Sequence, residues 1–280
     1  MTTFGQRVRA ALDEYGPLCV GIDPHASLLE EWGLDVSAQG AREFGLRVVD
    51  GAAGRVGVVK PQVSFFERYG SSGLRALEQV IAAARQSGLI VIADAKRGDI
   101  GTTMDAYGEA WLTPGAPLES DAVTVNPFLG VGTLEGTFQL AARGGKGVLV
   151  LAATSNPDAF TAQRARMADG RTVSAGIVAD VSERNARTTP EGQWADIGFV
   201  IGATVDWHDA GLSTLAPEAP ILAPGFGHQG ASPRDLRPRF GSAAPLVIAS
   251  ESRSILAVGA DRVAARVSER AAAYREALGG

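Results

Sequence analysis

Cysteine is almost missing from this chain: Cys19 is the only one in 280 residues. One thiol excludes every internal disulfide, and its place in the apolar run LCVGI marks it as a buried core residue. Long hydrophobic runs are missing too. No segment reaches the ~18 consecutive apolar residues of a membrane-spanning helix. The opening MTTFGQRVRAALDEYG lacks the apolar stretch of a signal peptide. A cytoplasmic protein with no membrane partner is expected. An excess of positive charge is missing as well: the formal net charge is −5 with no basic stripe, so nucleic-acid binding has no electrostatic footprint. The three histidines, His25, His208 and His228, stand far apart without metal-ligand spacing.

What is present is ordinary globular composition, 45% apolar and 20% charged, in a chain long enough to bury a core. Short runs rich in Val, Ile and Leu recur at 18–22, 56–59, 89–93, 122–125, 148–152, 197–201, 221–223 and 246–249. Each is bounded by turn residues, and continuous apolar runs suit parallel strands buried on both faces. Helical patterns separate them, clearest at 73–86 and at 252–278. Strands alternating with helices over about 250 residues predict a single-domain α/β (β/α)8 barrel across residues 1–280; the alternative is an open doubly wound sheet. One connection, 154–196, is too long for a plain crossover. It predicts an insertion at about 158–192, with a helix over 174–187 and an extra loop or helix at 161–172.

Charge concentrates in IADAKRGDIGTT, residues 92–103, at the end of the third predicted strand. Residues two apart on a strand share a face, which pairs Asp94 with Lys96. Asp99 follows in the turn. The second strand ends in Lys60, and the first in Asp23 within GIDPH. Any one of these could merely mark where a strand meets water. Together they put carboxylates and ammoniums of alternating sign on one rim, at the strand ends where barrels carry catalysis. Such groups hold one another ionised in a partly dry site, where a lone charge could not persist.

The seventh predicted strand is followed by PGFGHQG, residues 224–230, and the eighth by Arg253, at a helix start. Barrels often bind phosphate with these two loops, and glycine amides with a guanidinium suit an anion. Gly225, Gly227 and Gly230 also spell G-x-G-x-x-G, with Glu251 about 20 residues on. That fingerprint requires a Rossmann βαβ unit, and too little chain follows it. Ser155 has no G-x-S-x-G context, so it is not a hydrolase nucleophile.

The segment DAKRGDIGTT resembles the D-x-K-x-x-D-I-x-x-T signature of the orotidine 5'-phosphate decarboxylase family. KPQVSFFE, TVNPFLG and TSNP resemble its longer bacterial branch, and the likeness runs from Asp23 to Arg253. The resemblance implies release of CO2 from orotidine 5'-monophosphate with no metal and no organic cofactor. Lys96 would stabilise and protonate the C6 carbanion, with Asp94 beside the substrate carboxylate. Lys60 and Asp23 would hold ribose hydroxyls, Ser155 the pyrimidine, and Gln229 and Arg253 the phosphate. Asp99 and Thr103 would reach into the site of a partner chain in a homodimer. Two alternatives remain: a Mg2+-dependent sugar-phosphate decarboxylase or aldolase of the same superfamily, and a non-catalytic nucleotide-binding barrel.

Overall fold

The computed structural model describes residues 2–279. Eight parallel strands close in sequence order: β1 Leu18–Ile22, β2 Val58–Pro61, β3 Ile90–Arg97, β4 Ala122–Val125, β5 Gly147–Ala153, β6 Ile197–Ile201, β7 Ile221–Pro224 and β8 Val247–Glu251. The seam is β1 against β8, with Leu18 opposite Ala249 and Val20 opposite Glu251. The open doubly wound alternative is therefore excluded. Seven of the eight strands carry a first residue or a run of residues wholly out of contact with water, as parallel strands covered on both faces must.

Strand ends depart from the apolar pattern in one direction. β3 continues to Arg97, four residues past its apolar run, β2 runs to Pro61 and β8 to Glu251. The backbone ladder outlasts the hydrophobic run because polar side chains at these ends face a cavity. The helix expected at 73–86 begins at Gly70. The predicted 252–278 helix is broken: Arg253–Leu256, a 3-10 turn Ala260–Arg262, then Val263–Gly279. Gly259, at φ +87°, turns the chain between them.

The long β5–β6 connection resolves into two parts. Val173–Ala186 is the crossover helix, started by the Thr172 hydroxyl accepting from the Ala175 amide. The added material is Pro157–Ala159, the short helix Phe160–Gln163 and a turn closed by an Arg166–Thr172 bridge. At the opposite end of the barrel, the helix Phe4–Tyr15 opens with a Thr3–Gln6 capping box. Its Phe4 ring packs so closely on Gly147 that a Cβ there would meet it at 2.1 Å. This helix lies across the N-terminal ends of β5 and β6, leaving the C-terminal ends open. No helix among the described residues is long and apolar enough to cross a membrane.

Candidate active site

The C-terminal ends of the strands surround a cavity of about 400 Å³. Asp23, Lys60, Asp94 and Lys96 line one side of it, Thr154, Ser155 and Asn156 another, and Gly225, Gln229 and Arg253 the far end. Seven expected site residues thus meet in one place: Asp23, Lys60, Asp94, Lys96, Ser155, Gln229 and Arg253. Asp99 and Thr103 do not. Asp99 turns back to accept from the Ile100 amide at 2.8 Å, and Thr103 is exposed on the helix Gly101–Leu112.

The charged groups form a chain. Lys60 Nζ lies 3.1 Å from Asp94 Oδ2 and 3.8 Å from Asp23 Oδ1, and Lys96 Nζ lies 2.5 Å from Asp94 Oδ1. The Lys60 and Asp94 side chains are only 5% and 9% exposed, whereas Lys96 is 44% exposed at the cavity mouth. Burial on its own would raise the Asp94 carboxyl, but the ammoniums of Lys60 and Lys96 outweigh it and hold the group at about 2. Burial would likewise strip the proton from Lys60; the Asp94 and Asp23 carboxylates reverse that and push its pKa up. Both ions therefore persist near neutral pH. Asp23 Oδ1 has the Lys60 charge nearby but no hydrogen-bond donor, although it is buried.

Lys96 reaches its position through an unusual backbone. It is the one non-glycine with positive φ among the described residues, at +49°. A side chain in that region costs about 1–2 kcal/mol. The simple alternation that pairs Asp94 with Lys96 from sequence is thus only half of the explanation. The two side chains meet because β3 bulges after Ala93.

At the far end, Gly225, Gly227 and Gly230 all take positive φ. A Cβ on Gly227 would lie 2.2 Å from Ser254 Oγ and 2.6 Å from Glu251 Oε1, so only glycine fits there. Glu251 is buried, accepts from Ser254 and pairs with Arg270, which leaves it no part in a dinucleotide fingerprint. Arg253 sits at the start of a helix as expected, but that helix has four residues and a correspondingly small dipole. Its guanidinium meets His228 Nε2 at 2.7 Å and His25 Nε2 at 3.4 Å. An arginine only donates, so both rings accept through Nε2 and carry their proton on Nδ1. Burial first, then the Arg253 charge, lower the His25 pKa.

Sequence reasoning treated these two histidines as scattered loop residues, yet they converge on Arg253. It also missed Gln62, which accepts from Lys60 and donates to the Asp94 carbonyl, and Thr124, whose hydroxyl bonds Asp94 Oδ1 at 2.9 Å. A lone hydroxyl in the apolar strand AVTV was the available signal for Thr124. Gln163, in the added segment, accepts from the Thr154 amide and donates to its hydroxyl, bracing the Ser155 loop. His208 stays outside, in an exposed group with Asp206 and Asp209. Cys19 is a core thiol as expected, pushed up to about 12 chiefly by burial.

Comparison with known proteins gives one answer. Residues 16–272 match the profile of the family described as Orotidine 5'-phosphate decarboxylase / HUMPS family. The orotidine 5'-phosphate decarboxylase of Salinispora tropica is 51% identical over 266 residues, covering 95% of this chain and 94% of that protein. Its Streptomyces coelicolor counterpart is 48% identical over 268 residues, covering 96% and 95%. A solved structure from Streptomyces avermitilis, assigned to the same enzyme, superposes with a TM-score of 0.93 at 43% identity, over 100% of this chain and 97% of that one. With the match spanning the strands, the signature loop and the Arg253 turn alike, this chain belongs to the orotidine 5'-phosphate decarboxylase / HUMPS family.

Proposed function

We propose that this chain is a carboxy-lyase that converts orotidine 5'-monophosphate to uridine 5'-monophosphate and CO2, in pyrimidine nucleotide synthesis. The observation that carries the reading is the run of opposite charges Lys60–Asp94–Lys96, buried at Lys60 and Asp94 and opening to the barrel mouth at Lys96. Binding alone would not require it, and desolvating Lys60 and Asp94 is costly. A reaction that develops negative charge on carbon makes use of it, because fixed ammoniums need no reorganisation when that charge appears.

In this mechanism the C6–carboxylate bond breaks, CO2 leaves, and the electron pair stays on C6. The Lys96 ammonium stabilises that pair and then gives it a proton, to be replaced from solvent. Asp94 pairs with the Lys96 ammonium at 2.5 Å and faces the departing carboxylate. Lys60 and Asp23 take the ribose hydroxyls; a hydroxyl donor would satisfy the orphaned Asp23 Oδ1. Ser155 contacts the pyrimidine, and Gln229 and Arg253 hold the phosphate, remote from the breaking bond. Their binding energy acts by orienting the ring.

The reading includes a homodimer in which Asp99 and Thr103 complete the partner's site. Both lie off their own cavity; Ile100, next to Asp99, exposes apolar surface, as do Phe128 and Leu129 on the loop after β4, Phe128 to 87%. A reducing cytoplasm suits a chain whose single thiol is buried.

The competing Mg2+-dependent reading meets an obstacle in Lys60, whose ammonium stands where a dication would need carboxylates to itself. The test is to mix the protein with orotidine 5'-monophosphate, follow the loss of its ultraviolet absorbance, and identify the product. Stoichiometric uridine 5'-monophosphate supports the assignment. Unchanged nucleotide that remains bound would instead make the protein a binding barrel.

A further inference from the structure

β3 and β4 fall out of step beside the reacting groups. Ala93 faces Val123 and Arg97 faces Val125. Between those pairs, Asp94, Ala95 and Lys96 stand opposite a single residue, Thr124. In an unbroken ladder the Lys96 amide would find a β4 carbonyl; here it donates to Thr124 Oγ1 at 2.9 Å. The same oxygen donates its proton to Asp94 Oδ1, also at 2.9 Å. Thr124 is completely buried, so no solvent molecule shares these duties.

A hydroxyl has one proton to give and lone pairs to receive. Both are committed, and both go to the catalytic strand. One bond fixes the rotation of the Asp94 carboxylate, so that Oδ1 meets Lys96 Nζ while Oδ2 meets Lys60 Nζ. The other supports the left-handed backbone of Lys96, a conformation that persists only where the surroundings over-determine it. We infer that Thr124 is a positioning residue of the decarboxylation, holding the Asp94 carboxylate and the Lys96 backbone in register through one buried hydroxyl. It touches no substrate. Its contribution is to the rate, because it acts on groups that matter as charge develops on C6. The inference rests on the decarboxylase reading above.

The test compares Thr124→Val, which replaces the hydroxyl with a methyl at nearly constant volume, with Thr124→Ser, which keeps the oxygen. Steady-state kinetics with orotidine 5'-monophosphate are read beside affinity for uridine 5'-monophosphate, which reports the rest of the cavity. The valine variant should lose about ten- to a hundredfold in kcat. Its nucleotide affinity should stay within about threefold of wild type, and the serine variant should recover most of the rate. If valine does not fold, Thr124→Ala, which removes the same oxygen with less bulk, is read in its place. A wild-type kcat without the hydroxyl overturns the inference. So does an equal loss in the serine variant, or a nucleotide affinity that falls as far as kcat. Wild-type enzyme assayed in parallel separates the two readings: no decarboxylation by wild type sinks the reaction itself, whereas an active wild type with an unimpaired valine variant sinks only the role of Thr124.

Discussion

The two ends of the cavity are built on different principles. At the reaction end, charges ride on strands β2 and β3 and are already paired with one another, with Lys60 and Asp94 buried and Lys96 at the mouth. At the Arg253 end, the polar groups ride on exposed loops, the backbone depends on left-handed glycines, and the guanidinium rests on two imidazole nitrogens rather than on a carboxylate. A buried array is fixed before substrate arrives, which suits electrostatic stabilisation of a transition state. An exposed cation with replaceable partners is free to exchange them for a phosphate, which suits recognition and loop ordering. The contrast predicts that damage at one end appears in kcat and damage at the other in KM.

The largest effect should come from Lys96. Lys96→Ala leaves Asp94 paired with Lys60, so the fold should survive while the groove loses its proton donor. Loss of ~3 kcal/mol or more of transition-state stabilisation is expected, read as kcat on folded variant protein. A variant retaining a tenth of wild-type kcat would remove Lys96 from its role. Next comes Arg253→Ala. Charge-assisted hydrogen bonds to phosphate contribute about 1.5–3 kcal/mol, so KM for the nucleotide should rise about ten- to a hundredfold. Decarboxylation of orotidine, which has no phosphate, should be unaffected. Equal losses on nucleotide and nucleoside would mean that Arg253 supports the fold instead, and the contrast between the two ends would collapse.

These two ends also differ in how well sequence exposes them. The barrel is legible because parallel strands buried on both faces must be continuously apolar, and the reaction end is legible because charges interrupt that run abruptly at Lys60 and Asp94. The 158–192 region was harder. Its crossover helix shares a polar stretch with the added turns, and periodicity does not say that Gln163 folds back onto Thr154. The convergence of His25 and His228 on Arg253 is a product of barrel closure, which joins β1 to β8. No local spacing announces it. The bulge in β3 is equally silent: nothing in ADAKR says that Lys96 leaves the strand conformation, and the lone hydroxyl in AVTV marks Thr124 as unusual without saying what it supports.

A smaller effect should follow from the pairing of Asp94. Its carboxyl is held at about 2 against an ordinary 3.8. A carboxylate whose folded pKa is depressed stabilises the fold above its unfolded value, and that contribution is lost as pH falls toward the folded one. The gap corresponds to roughly 2 kcal/mol. Urea unfolding of wild type and Asp94→Asn should therefore differ by a constant amount between pH 7 and pH 5, and the pH-dependent part of the difference should shrink by about half near pH 3. Glu119 is also held at about 2, against the burial that would raise it, by Lys146, the Gly115 amide and Arg85. It titrates in the same window but is common to both proteins, so the comparison isolates Asp94. A gap that stays flat to pH 3 would mean that the charge array is not the source of the shift.

The smallest expected effect is none, and it tests the reaction end most directly. Prolonged chelation with EDTA should leave decarboxylation unchanged. A catalytic dication in this cavity would draw on Asp23 and Asp94, the carboxylates that line it. Both already face Lys60 Nζ, at 3.8 and 3.1 Å, and that ammonium is too deeply buried to swing into solvent. Bringing Mg2+ to those oxygens would set two like-charged cations against each other in a poorly screened site. The assay is rate against chelator, followed by Mg2+ added back. Activity that falls and is restored by Mg2+ would transfer the electrophilic role from the lysines to a metal, and with it the reaction from the nucleotide decarboxylase to the metal-dependent branch. A flat response, together with a large loss in Lys96→Ala, leaves the ammoniums as the groups that carry the positive charge at the reacting end.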